Sequence, residues 1–203
     1  MADGAYTNLE LASELRRARL HGRDAAFVTE LVSGTIRWRG RYDAIIAAAS
    51  SRPVERIDPP VLDTLRLGAH QVLAMRVPEH AAVGETVALA RTVNGIGASK
   101  LVNAVLRRVS ERPLEDWLQH TVPAEPMTTR LSVLHSHPEW VVKALRQALI
   151  GHGAATPETA DVELERLLRS DNDAPLVHLV ARPGLGAEDD LREAGAEQRV
   201  LAP

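Results

Sequence analysis

Cysteine is absent from this chain of 203 residues, which excludes disulfides, thiolate metal sites and cysteine nucleophiles from its own chemistry. Aromatic residues make up 3%, too few of the usual strand formers to build a β-sandwich. No apolar run approaches the roughly 18 residues of a membrane span. The opening stretch Met1–Asn8 has neither the basic n-region nor the apolar h-region of a secretory signal. No membrane association is expected, and a cytoplasmic location is.

What remains is 45% hydrophobic residues, mostly Leu, Val, Ile and Ala, and 25% charged ones. That mixture supports a core of packed helices. The net charge of −3 hides an asymmetry. Residues 1–112 carry sixteen Lys/Arg against twelve Asp/Glu, whereas the remainder is strongly acidic. A polyanionic partner therefore belongs with the first half of the chain.

Apolar period marks the elements in order. Leu9, Leu11, Ala12 and Leu15 outline a first helix ending in Arg16, Arg17 and Arg19. Asp24 reads as the N-cap of a second, with Phe27, Val28, Leu31, Val32, Thr35 and Ile36 on one stripe. Gly34 inside that helix costs about 1 kcal/mol relative to alanine, which predicts a helix crossing close by. Gly40 marks either a kink between two helices or the interior of one, before the stripe Tyr42, Ile45, Ile46 and Ala49. Ser50–Pro53 breaks the pattern, and Asp58-Pro59-Pro60 restarts it with a cap and prolines in the first turn. Val61, Leu62, Leu65, Ala69, Val72 and Leu73 have the cleanest period, predicting the central buried helix, and Gly68 predicts another close crossing. Pro78 opens a helix to about Thr92, and Asn94-Gly95 stops it. Five or six helices with short loops make an all-α bundle.

Beyond Glu111, Pro113, Pro123 and Pro126 predict a linker around a short Leu114–Leu118 turn. Helical signals return at Pro138–Leu149, with Trp140, Val141, Val142 and Leu145, and after Pro157, with Leu164, Leu167 and Leu168. Alternation over Leu176–Ala181 then predicts a strand. Asp189–Ala194 predicts a short helix, and Gln198–Leu201 the start of a second strand. The expected architecture is mainly all-α: residues 1–126 as a helical bundle, 127–172 as a helical connector, and 173–203 as an incomplete strand-helix-strand unit. Such a unit is the beginning of an α/β subdomain leading to a missing catalytic domain, so the chain reads as a fragment.

The stretch Gly95–Val109 concentrates the functional signal. Leu101, Val102, Val105, Leu106 and Val109 form one helical stripe, while Lys100, Asn103 and Arg107 form another, with Arg108 beside it. The first stripe suffices to build a core, which leaves the second free to meet an anion. Gly95-Ile-Gly-Ala-Ser-Lys100 is no nucleotide loop: it follows a helix rather than a strand and lacks the Gly-Lys-Ser/Thr ending. His135 and His137 have no third ligand at helical spacing, so no metal site is expected. His80, beside Glu79 at a helix start, reads as a capping or packing residue. With no Gly-x-Ser-x-Gly elbow, a hydrolase triad has no support either. A second cluster, Arg37, Arg39 and Arg41, flanks Trp38. Any one of these arginines suits a solvated surface or a helix C-terminus. Together with Lys100 they suit phosphate contacts, which need charge and reach but no catalytic geometry.

Three segments, Phe27–Ile46, Leu65–Leu73 and Val102–Arg108, resemble the NusB family of helical RNA-binding domains. Ser136–Val142 and Asp171–Pro183 extend the resemblance to the N-terminal part of the bacterial 16S ribosomal RNA cytosine-5 methyltransferases that carry such a domain. The resemblance implies a NusB-like bundle that positions 16S ribosomal RNA for an S-adenosylmethionine-dependent enzyme. The parent would be the enzyme and this fragment would not. It further implies that the Rossmann-like sheet, the S-adenosylmethionine loop and two catalytic cysteines lie in the missing domain. Accordingly no cofactor, metal or catalytic residue is expected here. RNA contact is assigned to Arg37, Arg39, Arg41, Lys100, Asn103, Arg107 and Arg108, and the chain's own catalytic domain is an expected second partner. The family usually has a helix before Gly4–Leu9, and this chain starts too late to include it. That implies weaker RNA binding and a groove through which a homodimer would form. The alternative is an antitermination-type or protein-interaction module, in which the Lys100–Arg108 stripe would meet carboxylates instead of phosphates.

Overall fold

A computed structural model describes residues 6–173 and 188–195. The chain divides into two compact units, Met1–Asn172 and Asp173–Pro203. Among the described residues every regular element is helical.

In the first unit, α1 (Thr7–Arg17) and α2 (Gly22–Arg37) lead to α3 (Arg39–Ser50), α4 (Pro59–Leu73), α5 (Glu79–Val93) and α6 (Ile96–Ser110). The break between α2 and α3 falls at Trp38, whose torsions (φ −100°, ψ 18°) leave the helical region. Gly40 is therefore inside α3, not at the kink. Helix α2 starts two residues before Asp24, which lies in the first turn rather than at the cap, where its charge still complements the helix dipole. Asp58 does occupy the N-cap position of α4 but makes no side-chain cap bond. Proline at the first two helical positions removes one of the two N–H groups, that of the second position, which such a cap would serve.

The main core lies between α3, α4, α5 and α6. Ile45, Ile46, Leu65, Ala69, Val102, Leu106 and Val109 are essentially inaccessible to solvent, each large aliphatic contributing roughly 1.5–3 kcal/mol on burial. The two glycines expected at crossings, Gly34 and Gly68, do sit at them. A β-carbon on Gly34 would lie 2.3 Å from the His70 ring of α4, and one on Gly68 2.5 Å from Leu106 of α6. Helix α1 packs mainly on α2, and none of its described residues is fully buried.

The stretch expected to be a linker is α7 (Leu114–Thr121). Its Trp117 is buried in the main core and donates its indole N–H to the Val109 carbonyl at 2.8 Å. One large aromatic thus anchors eight residues whose flanking prolines mask the helical signal. Helix α8 (Met127–His135) falls within the expected helical connector but shows no apolar period of its own, because Leu131 is its sole fully buried hydrophobic residue. It packs with α9 (Glu139–Gly151) and α10 (Ala160–Asn172) around Leu131, Val142, Leu164 and Leu168. Trp140, one of the apolar residues that marked α9 in the sequence, is 73% exposed. Helix α8 also touches α3, where the Arg41 backbone N–H donates to Ser136 Oγ at 2.9 Å.

In the second unit the described element is α11 (Glu188–Glu193), one residue earlier than expected. The expected strands at Leu176–Ala181 and Gln198–Leu201 lie outside the described residues.

Two buried histidines link this packing to pH. The Tyr42 hydroxyl and His70 Nδ1 are 2.7 Å apart. An Nδ1 that accepts this bond places the ring proton on Nε2, 3.8 Å from Glu30. Burial pushes the pKa of His70 below 6.5 despite Glu30, and burial does the same to His135 despite Glu165. Between 6.5 and the lower folded-state values, the unfolded chain takes up protons that the folded chain does not. Stability is therefore intact above pH 6.5 and falls as the pH drops below it, by at most about 1.4 kcal/mol per pH unit for each histidine. Urea midpoints at pH 7.5 and pH 5.5 measure this, and equal midpoints would contradict it.

Candidate nucleic-acid interface

Helix α6 presents its two stripes as the period requires. Val102, Val105, Leu106 and Val109 are buried, Leu101 is half-buried, and Lys100, Arg107 and Arg108 are exposed. Arg107 Nε donates to Asn103 Oδ1 at 3.3 Å, one turn earlier. Among the described residues none of the three cations forms an ion pair. A row of exposed cations without carboxylate partners retains its full field for an outside anion.

The Trp38 cluster is different. Arg41 is committed to the fold: its guanidinium lies 3.9 Å from the Trp38 ring centroid and donates to the Leu134 carbonyl of α8. Burial lowers its pKa. This is a clamp between α3 and α8, so Arg41 is not available as the expected RNA contact. Arg39 is exposed and stands 3.9 Å from Asp43. Arg37, half-buried at the end of α2, has no ion-pair partner among the described residues. No hydrogen bond or ion pair among those residues joins this cluster to the α6 row.

Asp43 is mainly engaged elsewhere. Its carboxylate accepts from Arg66 Nε at 2.6 Å and Nη2 at 2.8 Å, and Asp63 accepts from Nη1 at 2.7 Å. Burial opposes the Arg66 charge, but the bonds and charges of the two aspartates outweigh it and raise the pKa. An arginine inside the central helix gives no sequence signal of its partner, because Asp43 and Arg66 are 23 positions apart.

Sequence reasoning also missed a hollow of about 240 Å³ beside the α6 row. Its floor is Val83, Gly84 and Val87 of α5, with Glu79 and His80 at one end and Asn103 and Arg107 on the α6 side. The signal was present as spacing, since 79, 83 and 87 share one face of a helix with 80 and 84. A neighbouring hollow of about 280 Å³ runs from Leu73 and Glu79 to Arg112 and Leu114. Arg112 there stacks 5.4 Å over Trp117. Both spaces fall below the roughly 300–1,000 Å³ of small-molecule sites. Gly95 lies between two helices and Gly97 in the first turn of α6, neither after a strand. No group of three potential metal ligands occurs among the described residues, and His135 and His137 each face a different carboxylate, Glu165 and Asp171. No described helix is long and apolar enough to cross a membrane.

The NusB family pattern matches residues 1–111, α1 through α6. The chain belongs to the NusB family. A protein of Mycobacterium tuberculosis, named provisionally as a methyltransferase, is 42% identical over 196 residues, covering 95% of this chain and 41% of that protein. The ribosomal RNA small subunit methyltransferase B of Pseudomonas putida is 36% identical over 142 residues, 70% of this chain and 30% of its own length. The protein of the same name in Pseudomonas syringae is 34% identical over 146 residues, 71% of this chain and 30% of the relative. This NusB-family chain thus spans well under half the length of these relatives. No solved structure matches it.

Proposed function

We propose that this NusB-family chain is the RNA-positioning module of an S-adenosylmethionine-dependent 16S ribosomal RNA cytosine-5 methyltransferase. The observation that carries the reading is the α6 row, in which Lys100, Arg107 and Arg108 are exposed and have no acidic partner among the described residues. It is supported by the names of relatives that share both the NusB-like region and the segment beyond it. Methyl transfer and the thiolate chemistry it needs reside in other parts of the full-length protein, since this chain contains no cysteine. The role of residues 1–126 is to bind small-subunit ribosomal RNA. Residues 127–172 connect that bundle to the segment that begins at 173.

The test is binding of the chain to a small-subunit ribosomal RNA fragment across a salt series. A log–log slope of about −2 is expected if three cations each neutralise a phosphate on single-stranded RNA. Binding only to a separately expressed catalytic domain, with none to RNA, would overturn the RNA reading in favour of a protein-docking face.

A further inference from the structure

We infer that the hollow between α5 and α6 binds one unstacked nucleobase of single-stranded RNA, its flat face on Val83, Gly84 and Val87 and its phosphate on Arg107. The inference rests on the RNA-binding reading above and assigns a base-sized subsite to the same face.

Gly84 is the first argument. Mid-helix glycine costs about 1 kcal/mol relative to alanine, and at Gly34 and Gly68 a close crossing accounts for it. At Gly84 nothing does. Its backbone is ordinary helix, and an added β-carbon would meet no atom within 4 Å. Internal packing therefore leaves this glycine unexplained, while the missing side chain keeps the floor of the hollow open between two valines.

The rim supplies the second argument. Asn103 Oδ1 is occupied by Arg107 Nε, so its amide N–H groups remain to donate to a base acceptor. Arg107 has further donors for a phosphate, and Lys100 and Arg108 extend the positive field along α6. Glu79, at the α5 N-terminus, is a further lining residue; its carboxylate repels phosphate but accepts from an exocyclic amine of a base. At about 240 Å³ the space suits a single base and not an extended cofactor. Unstacked bases are what proteins read in single-stranded RNA, whereas a duplex offers none.

The test uses Gly84→Leu and Asn103→Ala in the whole chain, with a fluorescein-labelled single-stranded RNA of about eight nucleotides and its blunt duplex as probes. Gly84→Leu fills the floor, and single-strand affinity is expected to fall about tenfold, equivalent to about 1.4 kcal/mol of lost base contact. Its salt slope should not change, because no phosphate contact is lost. Duplex affinity should stay level. Thermal stability should be equal to or above wild type, since a helix former replaces glycine, and a folding defect cannot produce that combination. Asn103→Ala should weaken single-strand binding in the same direction. Wild-type RNA binding with Gly84→Leu indistinguishable from it would overturn the subsite alone. Failure of the wild-type chain to bind either probe would overturn the RNA reading and the subsite together.

Discussion

Asp43→Ala is expected to lower the free energy of unfolding by about 3 kcal/mol, near the low end for breaking a buried ion pair. The side chain of Arg66 is 9% exposed and that of Asp43 22%, so the substitution leaves a guanidinium inside the bundle without its bidentate partner. Asp63 remains, but at 69% exposure it shares its charge with solvent and recovers little. Asp63→Ala alone should cost no more than about 1 kcal/mol for the same reason. The cost is mainly that of the stranded cation, so Asp43→Ala combined with Arg66→Met should regain most of the loss. Urea denaturation of the four proteins measures it. A value for Asp43→Ala within about 0.5 kcal/mol of wild type, or a double variant no better than the single, would show that the pair does not organise the α3–α4 contact.

Reversing Arg107 and Arg108 together to glutamate should weaken binding to the ribosomal RNA fragment on the order of a hundredfold at low salt. The salt slope should shrink by about 1.4, two single-strand phosphate contacts' worth. Both side chains are exposed, so stability should stay within about 0.5 kcal/mol. The matching reversal of Arg39 should have a smaller effect, since Asp43 stands 3.9 Å from it. Arg41→Glu is not a clean test of RNA contact, because it would disrupt the α3–α8 clamp. A double reversal that binds as tightly as wild type would remove the α6 row from the interface.

The α6 row and the bundle that displays it were legible because both follow from period. A helix repeats every 3.6 residues, so the buried Val102–Val109 stripe and the exposed Lys100, Arg107 and Arg108 separate on paper as they do in space. Gly34 and Gly68 could be read for a related reason: a mid-helix glycine carries a penalty that a close crossing explains. Helices α7 and α8 escaped the same reading. In α7 one tryptophan does the anchoring that a stripe usually does, and α8 buries a single leucine.

The sequence by itself therefore determined the helical class, the order of α1 to α6, the positive half of the chain and the absence of thiol chemistry. Each depends on composition or on neighbours within two turns. Only the tertiary structure decided which cations are free. Arg41 is spent on Leu134, 93 positions away, and Arg66 on Asp43, 23 positions away, whereas Arg107 and Arg108 meet no carboxylate among the described residues. The hollow over Gly84 belongs to the same class, because its walls come from two helices. Local period places a side chain on a face, but its partner across the bundle depends on how the helices pack.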